Sequence, residues 1–271
     1  VEWRNIYRGA MMGLCDLIPG VSGGTVAVML GIYDQLIAAI NGLFSKKWKK
    51  HLLFLLPLGC GMVITILSFS KLIKWLLHHY HGPTMFFFLG LIAGIVPLLV
   101  KRARVKERFR GGHYIVLLLA VSLLGLMAYW ESVSGKEAEV ISSLTGATGI
   151  QLFLSGSLAS VSMLLPGISG SMVLLLLGVY DTAIDALATF NLPIIIVIGA
   201  GVIIGFFVSS KLIRFLLKHY TTYTYAAIIG LVIGSVFVVY PGFAGTAEIF
   251  PSVMTFAGGA ATSTLLGKRD R

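Results

Sequence analysis

Charge is what this chain lacks most: 12% of its 271 residues are Asp, Glu, Lys or Arg, where a soluble domain carries about one-quarter. With 57% hydrophobic residues and a mean hydropathy of +0.92, that scarcity excludes a water-soluble domain of useful size. Cysteine is nearly absent too. Cys15 and Cys60 both sit in apolar sequence with no CxxC or nearby His, which argues against a disulfide framework or a zinc site. The cluster HHYH at 78–81 has no carboxylates or thiols beside it, so it reads as interfacial rather than as a metal site, and no cofactor is called for. No Ser-His-Asp spacing for nucleophilic catalysis is present. A cleavable signal is missing as well, since VEWRNIYRG has no basic, apolar and small-residue succession, and an opening on Val1 reads as a trimmed chain.

What is present is a series of apolar runs near the roughly 20 residues that cross about 30 Å of hydrocarbon. The net charge of +10 does not point to nucleic acid, because Lys and Arg fall mostly in short loops and at the ends of those runs, where they orient membrane proteins. The sequence also repeats itself. At an offset of 147, GAMMGLCDLIPGVSGGTVAVMLGIYD at 9–34 lies on GSLASVSMLLPGISGSMVLLLLGVYD at 156–181, with 11 of 26 positions identical. At an offset of 140, SKLIKWLLHHY at 70–80 lies on SKLIRFLLKHY at 210–220, with 8 of 11 identical.

The expected fold is an all-α polytopic membrane protein of two inverted-topology repeats, each a re-entrant helical hairpin plus three transmembrane helices. The first repeat, 1–130, holds a hairpin at 9–44 and helices at about 52–77, 85–100 and 114–130. An acidic outer loop, 131–149, leads to the second repeat, 150–271, with a hairpin at 150–190 and helices at about 193–217, 226–240 and 249–266. Placing KKWKK, KRARVKERFR and the tail KRDR in the cytoplasm gives every loop its expected sign, puts both termini inside, and makes three crossings per half, hence the inversion.

Each hairpin breaks at a proline and glycine, Pro19 with Gly20 and Pro166 with Gly167, which stop a helix inside an apolar stretch. Such a break survives in lipid only where protein or a polar cavity satisfies its backbone. Ser22, Gly23, Gly24 and Thr25, and in the second half Ser169, Gly170 and Ser171, then cap second arms whose first amides face the break, a setting that favours an anion. Lys71 and Lys74 lie about 28 Å or more beyond Leu52 along their helix, near the outer interface, and Lys211 and Arg214 reach the inner one. These opposed clusters suit a phosphate met at either surface. Four carboxylates fall in the broken segments: Asp16, Asp34, Asp181 and Asp185. Asp34 is a candidate for pairing with Lys211 or Arg214, and Asp181 with Lys71, while Asp16, whose repeat mate is Met163, is a candidate for a coupling proton.

The motifs PGVSGGT and PGISGS, each followed by G[IV]YD, closely resemble the bacterial PopT family of polyprenyl-phosphate translocases over nearly the whole chain. That resemblance implies a bacterial plasma (inner) membrane protein that returns undecaprenyl phosphate from the outer to the cytoplasmic leaflet for envelope (peptidoglycan) synthesis. Residue spacing by itself implies only a two-sided membrane site that welcomes an anion. Two other readings stay open on the sequence: an ion-coupled small-anion transporter, and a membrane polyprenyl-pyrophosphate phosphatase. The latter enzymes carry a PG-x-S motif but add an Arg and a catalytic glutamate that PGVSGG and PGISGS lack. A monomer and a homodimer are equally compatible with the sequence.

Overall fold

The computed structural model describes residues 3–18, 21–43, 45–134, 140–141, 143–242, 245 and 248–269. Among them every regular element is a helix. The first half runs α1 (Arg4–Asp16), α2 (Gly23–Met29), α3 (Tyr33–Gly42), α4 (Trp48–His79), α5 (His81–Arg102), the short α6 (Val105–Arg108) and α7 (Gly111–Ser134). The second half runs α8 (Gly146–Leu164), α9 (Gly170–Leu176), α10 (Tyr180–Ala188), α11 (Leu192–His219), α12 (Thr221–Val239) and α13 (Ile249–Arg269). Among the described residues, seven helices are long and apolar enough to cross a membrane: α4, α5, α7, α8, α11, α12 and α13. The first arms of the two broken segments therefore differ. Helix α8 reaches the length of a span, whereas α1 has 13 residues and carries Arg4, Asn5, Arg8 and Asp16.

Close backbone approach organises the packing, and it recurs between the halves. A Cβ on Gly9 of α1 would meet the Leu58 carbonyl of α4, and one on its repeat mate Gly156 of α8 would meet the Ile198 carbonyl of α11. In the same way Gly90 of α5 lies against the Phe256 carbonyl of α13, and Gly230 of α12 against the Leu117 carbonyl of α7. Helices α1 and α4 thus pair within the first half and α8 and α11 within the second, while the last helix of each half packs on the partner half. Without a hydrophobic drive between helices in lipid, such small-residue contacts are what hold spans together.

The second arms hold a feature that alternation of apolar residues did not reveal. Instead of one helix after each PG break there are two, α2 with α3 bent by 119° and α9 with α10 bent by 110°. Gly31 and Gly178, with φ of 74° and 67°, form the corners. At the first, the Gly31 amide donates to Val28 (3.1 Å) and the Ile32 amide to Ala27 (3.0 Å). At the second, Gly178 donates to Leu175 (2.9 Å) and Val179 to Leu174 (2.9 Å). This paired closure needs a left-handed residue after the helix, which only glycine supplies without strain. The glycine of G[IV]YD is thus a helix stop.

The two broken segments are not equally enclosed. All seven residues of α2 are buried, along with most of α3, and they form the centre of the main apolar core with α5. Of α9 and α10 only Gly170, Met172, Thr182 and Ala186 are buried. Apolar Leu175, Ile184 and Leu187 instead stand exposed on the outside of the second segment.

Candidate functional site

The two breaks meet. Pro19 and Gly20 lie outside the described residues, but Pro166 and Gly167 form the turn of the second break, with Gly167 at φ 92°. The amide of Gly167 donates to the hydroxyl of Thr25 at 2.8 Å, 142 residues away and buried. Tyr33, from the G[IV]YD motif, donates its hydroxyl to the Leu164 carbonyl at 3.0 Å, and Ser22 donates to the Leu165 carbonyl at 3.4 Å. Three side chains of the first segment therefore bond to backbone groups at the second break. An orphaned buried amide or carbonyl costs about 1–3 kcal/mol, so these contacts fix the breaks against one another.

Ser22 also accepts from the Gly24 amide at 3.1 Å and caps α2. The Gly23 amide is held by the carboxylate of Asp16 at 2.6 Å. The first α2 amides are consequently occupied from within the protein, not open to a ligand as the sequence pattern suggests. At the second tip the arrangement differs: Ser169 makes no capping bond from its side chain, and its hydroxyl lies 2.7 Å from that of Ser171. Where Asp16 stands in the first half, Met163 stands in the second, and its side chain lies against Gly170.

Between the tips is a cavity of about 130 Å³ lined by Asp16, Ser22, Met163, Ile168 and the run Ser169, Gly170, Ser171. Beside it lies an apolar cavity of about 440 Å³, walled by residues such as Met62, Val202, Phe206 and Phe207, that shares Asp16 and Met163 with the small one and reaches Gly23 and Gly24. Among the described residues, Asp16 is the sole ionisable side chain lining either space. A small chamber bearing the Ser22, Ser169 and Ser171 side chains thus lies against a greasy one, with a single carboxylate at the junction, an arrangement suited to an amphiphile with a hydrogen-bonding head.

The remaining sequence candidates fall elsewhere. Lys71, Lys74, Lys211 and Arg214 are exposed on α4 and α11, and none lines either central cavity. Asp181 and Asp185 are exposed on α10. Asp34, in the first turn of α3, faces the Tyr225 hydroxyl of α12 and the Arg102 guanidinium, so its neighbours are these two rather than Lys211 or Arg214. Arg102 in turn donates to the Val28 carbonyl at the end of α2 (3.0 Å) and packs against Gly31. A cation at a helix C-terminus beside a carboxylate that starts the next helix stabilises both ends of the corner. Sequence reasoning missed Arg102 and Tyr225. At the repeat offset of 140 they fall on Gly242 and Met85, so the internal comparison could not flag them.

Comparison with known proteins identifies the family. A family model described as undecaprenyl phosphate translocase-like matches residues 12–255. A Staphylococcus aureus protein named polyprenyl-phosphate transporter is 43% identical over 274 residues, covering 98% of this chain and 96% of that protein. A Vibrio cholerae protein of the same name is 34% identical over 247 residues, covering 86% of this chain and 76% of that protein. No solved structure matches the chain significantly. Both relatives are named as transporters rather than hydrolases. By these matches the chain belongs to the undecaprenyl phosphate translocase-like family of membrane transporters.

Proposed function

We propose that the protein moves undecaprenyl phosphate, or a similar polyprenyl phosphate, from the outer to the cytoplasmic leaflet of the bacterial plasma membrane, returning the carrier for peptidoglycan synthesis. The observation that carries this reading is the small serine-lined chamber between the hairpin tips, which shares Asp16 and Met163 with an apolar one beside it. The phosphate takes the first and the adjoining isoprenes take the second, while the rest of the tail stays in lipid. A small-anion carrier has no use for an apolar chamber of about 440 Å³ beside its site, which favours the lipid.

The scaffold for this movement is a pair of inverted repeats with re-entrant hairpins and cytoplasmic termini. Three spans, α4, α5 and α7, separate the first broken segment from the second, and an odd number reverses the side from which the chain enters. The exchange of last helices between halves, α5 with α13 and α12 with α7, supports the same two-fold relation. Rocking of one half on the other gives alternating access.

Lys71 and Lys74 gather the phosphate at the outer face, and Lys211 and Arg214 receive it inside. In between, Ser22, Ser169 and Ser171, with the amide of Gly170 and, once Asp16 is protonated, that of Gly23, replace its water; Thr25 holds the tips together. Asp16 carries the coupling proton. As a carboxylate it holds the Gly23 amide and repels an anion; protonated, it loses its charge, frees that amide for the phosphate, and travels through the cycle with it. Asp34 and Asp181 serve structure, the former through Tyr225 and Arg102.

The test is transport of polyprenyl phosphate in reconstituted vesicles. Hydrogen bonds to a charged group contribute about 1.5–3 kcal/mol, so the double variant Ser169→Ala, Ser171→Ala is expected to slow transport by roughly 10- to 100-fold. Lys71→Gln and Lys211→Gln, made separately, each slow it at one face. An unaltered rate in the serine variant removes the tip site, and unaltered rates in both lysine variants remove the two-cluster route.

A further inference from the structure

A third space lies outside the central site. Its volume is about 790 Å³, and it is bounded by α4, α5 and α13 at the end where α4 stops. Phe69, Leu72, Leu76 and Phe87 make its wall, and His79, Tyr80 and Glu248 stand where the helices end. It shares no residue with the two central cavities.

The repeat fills the matching positions differently. Because Gly90 meets Phe256 where Gly230 meets Leu117, α13 corresponds to α7 at an offset of 139, while α5 corresponds to α12 at 140. Pro83, Glu248 and Ser252 then stand where Tyr223, Phe109 and His113 stand in the other half. There aromatic rings pack together at those positions, with His113 stacked on Tyr223 at 4.1 Å and on Phe109 at 5.3 Å between centroids. At the cavity a proline replaces the tyrosine and a carboxylate replaces the phenylalanine. The Ser252 hydroxyl, beside Gly82, is buried without a hydrogen-bond partner.

The wall suits a hydrocarbon chain, and the lone carboxylate sets the sign of the head group. Glu248 disfavours a phosphate monoester, the head group of the transported lipid, and favours a hydrogen-bond-donating cation. A phospholipid with an ammonium head group satisfies both demands: the ammonium meets Glu248 and one acyl chain fills the wall. Exposed Tyr80, in the lining, packs edge-on against exposed Trp75 at 5.7 Å between centroids, aromatic residues of the kind found at the level of lipid head groups.

We propose that this cavity is a binding site for one phospholipid bearing a primary ammonium, held by Glu248, and separate from the transport route. The test is native mass spectrometry of the purified protein given equal amounts of phosphatidylethanolamine and phosphatidylglycerol. The wild-type protein should retain phosphatidylethanolamine about tenfold in excess. Glu248→Gln should still hold lipid but bring the ratio near one. Pro83→Tyr, which introduces the side chain found at that position in the other half, should lose the bound lipid. Equal retention of the two lipids by the wild-type protein overturns the proposal. So does a ratio unaltered in Glu248→Gln, or displacement of the bound lipid by polyprenyl phosphate. Should Pro83→Tyr fail to fold, the wild-type and Glu248→Gln ratios decide alone.

Discussion

Replacing Thr25 by Val tests whether the two broken segments are truly fastened to one another. Val keeps the branched shape of Thr and removes one hydroxyl, which in the native protein accepts the Gly167 amide at 2.8 Å in a fully buried setting. Thr25 itself is 2% exposed, so water cannot enter to replace the lost partner. The Gly167 amide is then left unpaired, at a cost of about 1–3 kcal/mol. For a chain of this size that corresponds to a drop of roughly 2–12 °C in the apparent midpoint of thermal unfolding at fixed scan rate. Thr25→Ser retains the hydroxyl and should lose much less. The assay is thermal unfolding of the purified protein in one detergent, followed by tryptophan fluorescence, with all variants scanned together. If Thr25→Val melts with the wild-type protein, or if Thr25→Ser falls as far as Thr25→Val, the bond between the tips does not fasten them.

Other substitutions probe separate parts of the account. Gly31→Ala forces a Cβ into a left-handed corner and against the Arg102 guanidinium, so it should destabilise by about 1–2 kcal/mol or more, whereas Gly59→Ala, where a Cβ meets open space, should not; the same thermal scan measures both. Asp16→Asn keeps the shape but neither charges nor releases a proton, so its transport should no longer respond to a pH gradient across the vesicle, and a response equal to that of the wild-type protein would exclude Asp16 as the coupling group. Arg102→Gln removes the charge at the end of α2 and leaves Asp34 with Tyr225, and it should reduce stability more than the exposed Lys74→Gln does, again by thermal unfolding.

Much of the helical architecture is readable because lipid imposes a simple rule: α4, α5, α7, α11, α12 and α13 sit on apolar runs bounded by charge or by glycine and proline. The breaks are readable for the same reason, since a PG pair inside an apolar stretch has few explanations. The corner at Gly31 was visible as a residue but not as a bend, because glycine is common in packed membrane helices and only the paired amide bonds identify it as a stop. The asymmetry of the site was the harder part. Two similar motifs suggest two similar tips, yet a single exchange, Asp16 for Met163, fills one amide and leaves the other beside a thioether. Partners such as Arg102 and Tyr225 come from distant helices and have no repeat mate of like chemistry, so pattern alone could not bring them to Asp34.

The most direct measurement is a density map of the protein with bound polyprenyl phosphate in a lipid nanodisc. The account predicts phosphate density between the tips, within hydrogen-bond reach of the Ser169 and Ser171 hydroxyls, with the first isoprenes in the space walled by Val202 and Phe206. Density for the phosphate resting only against lipid-facing helix surfaces, with the chamber between the tips filled by closed side chains, would contradict it.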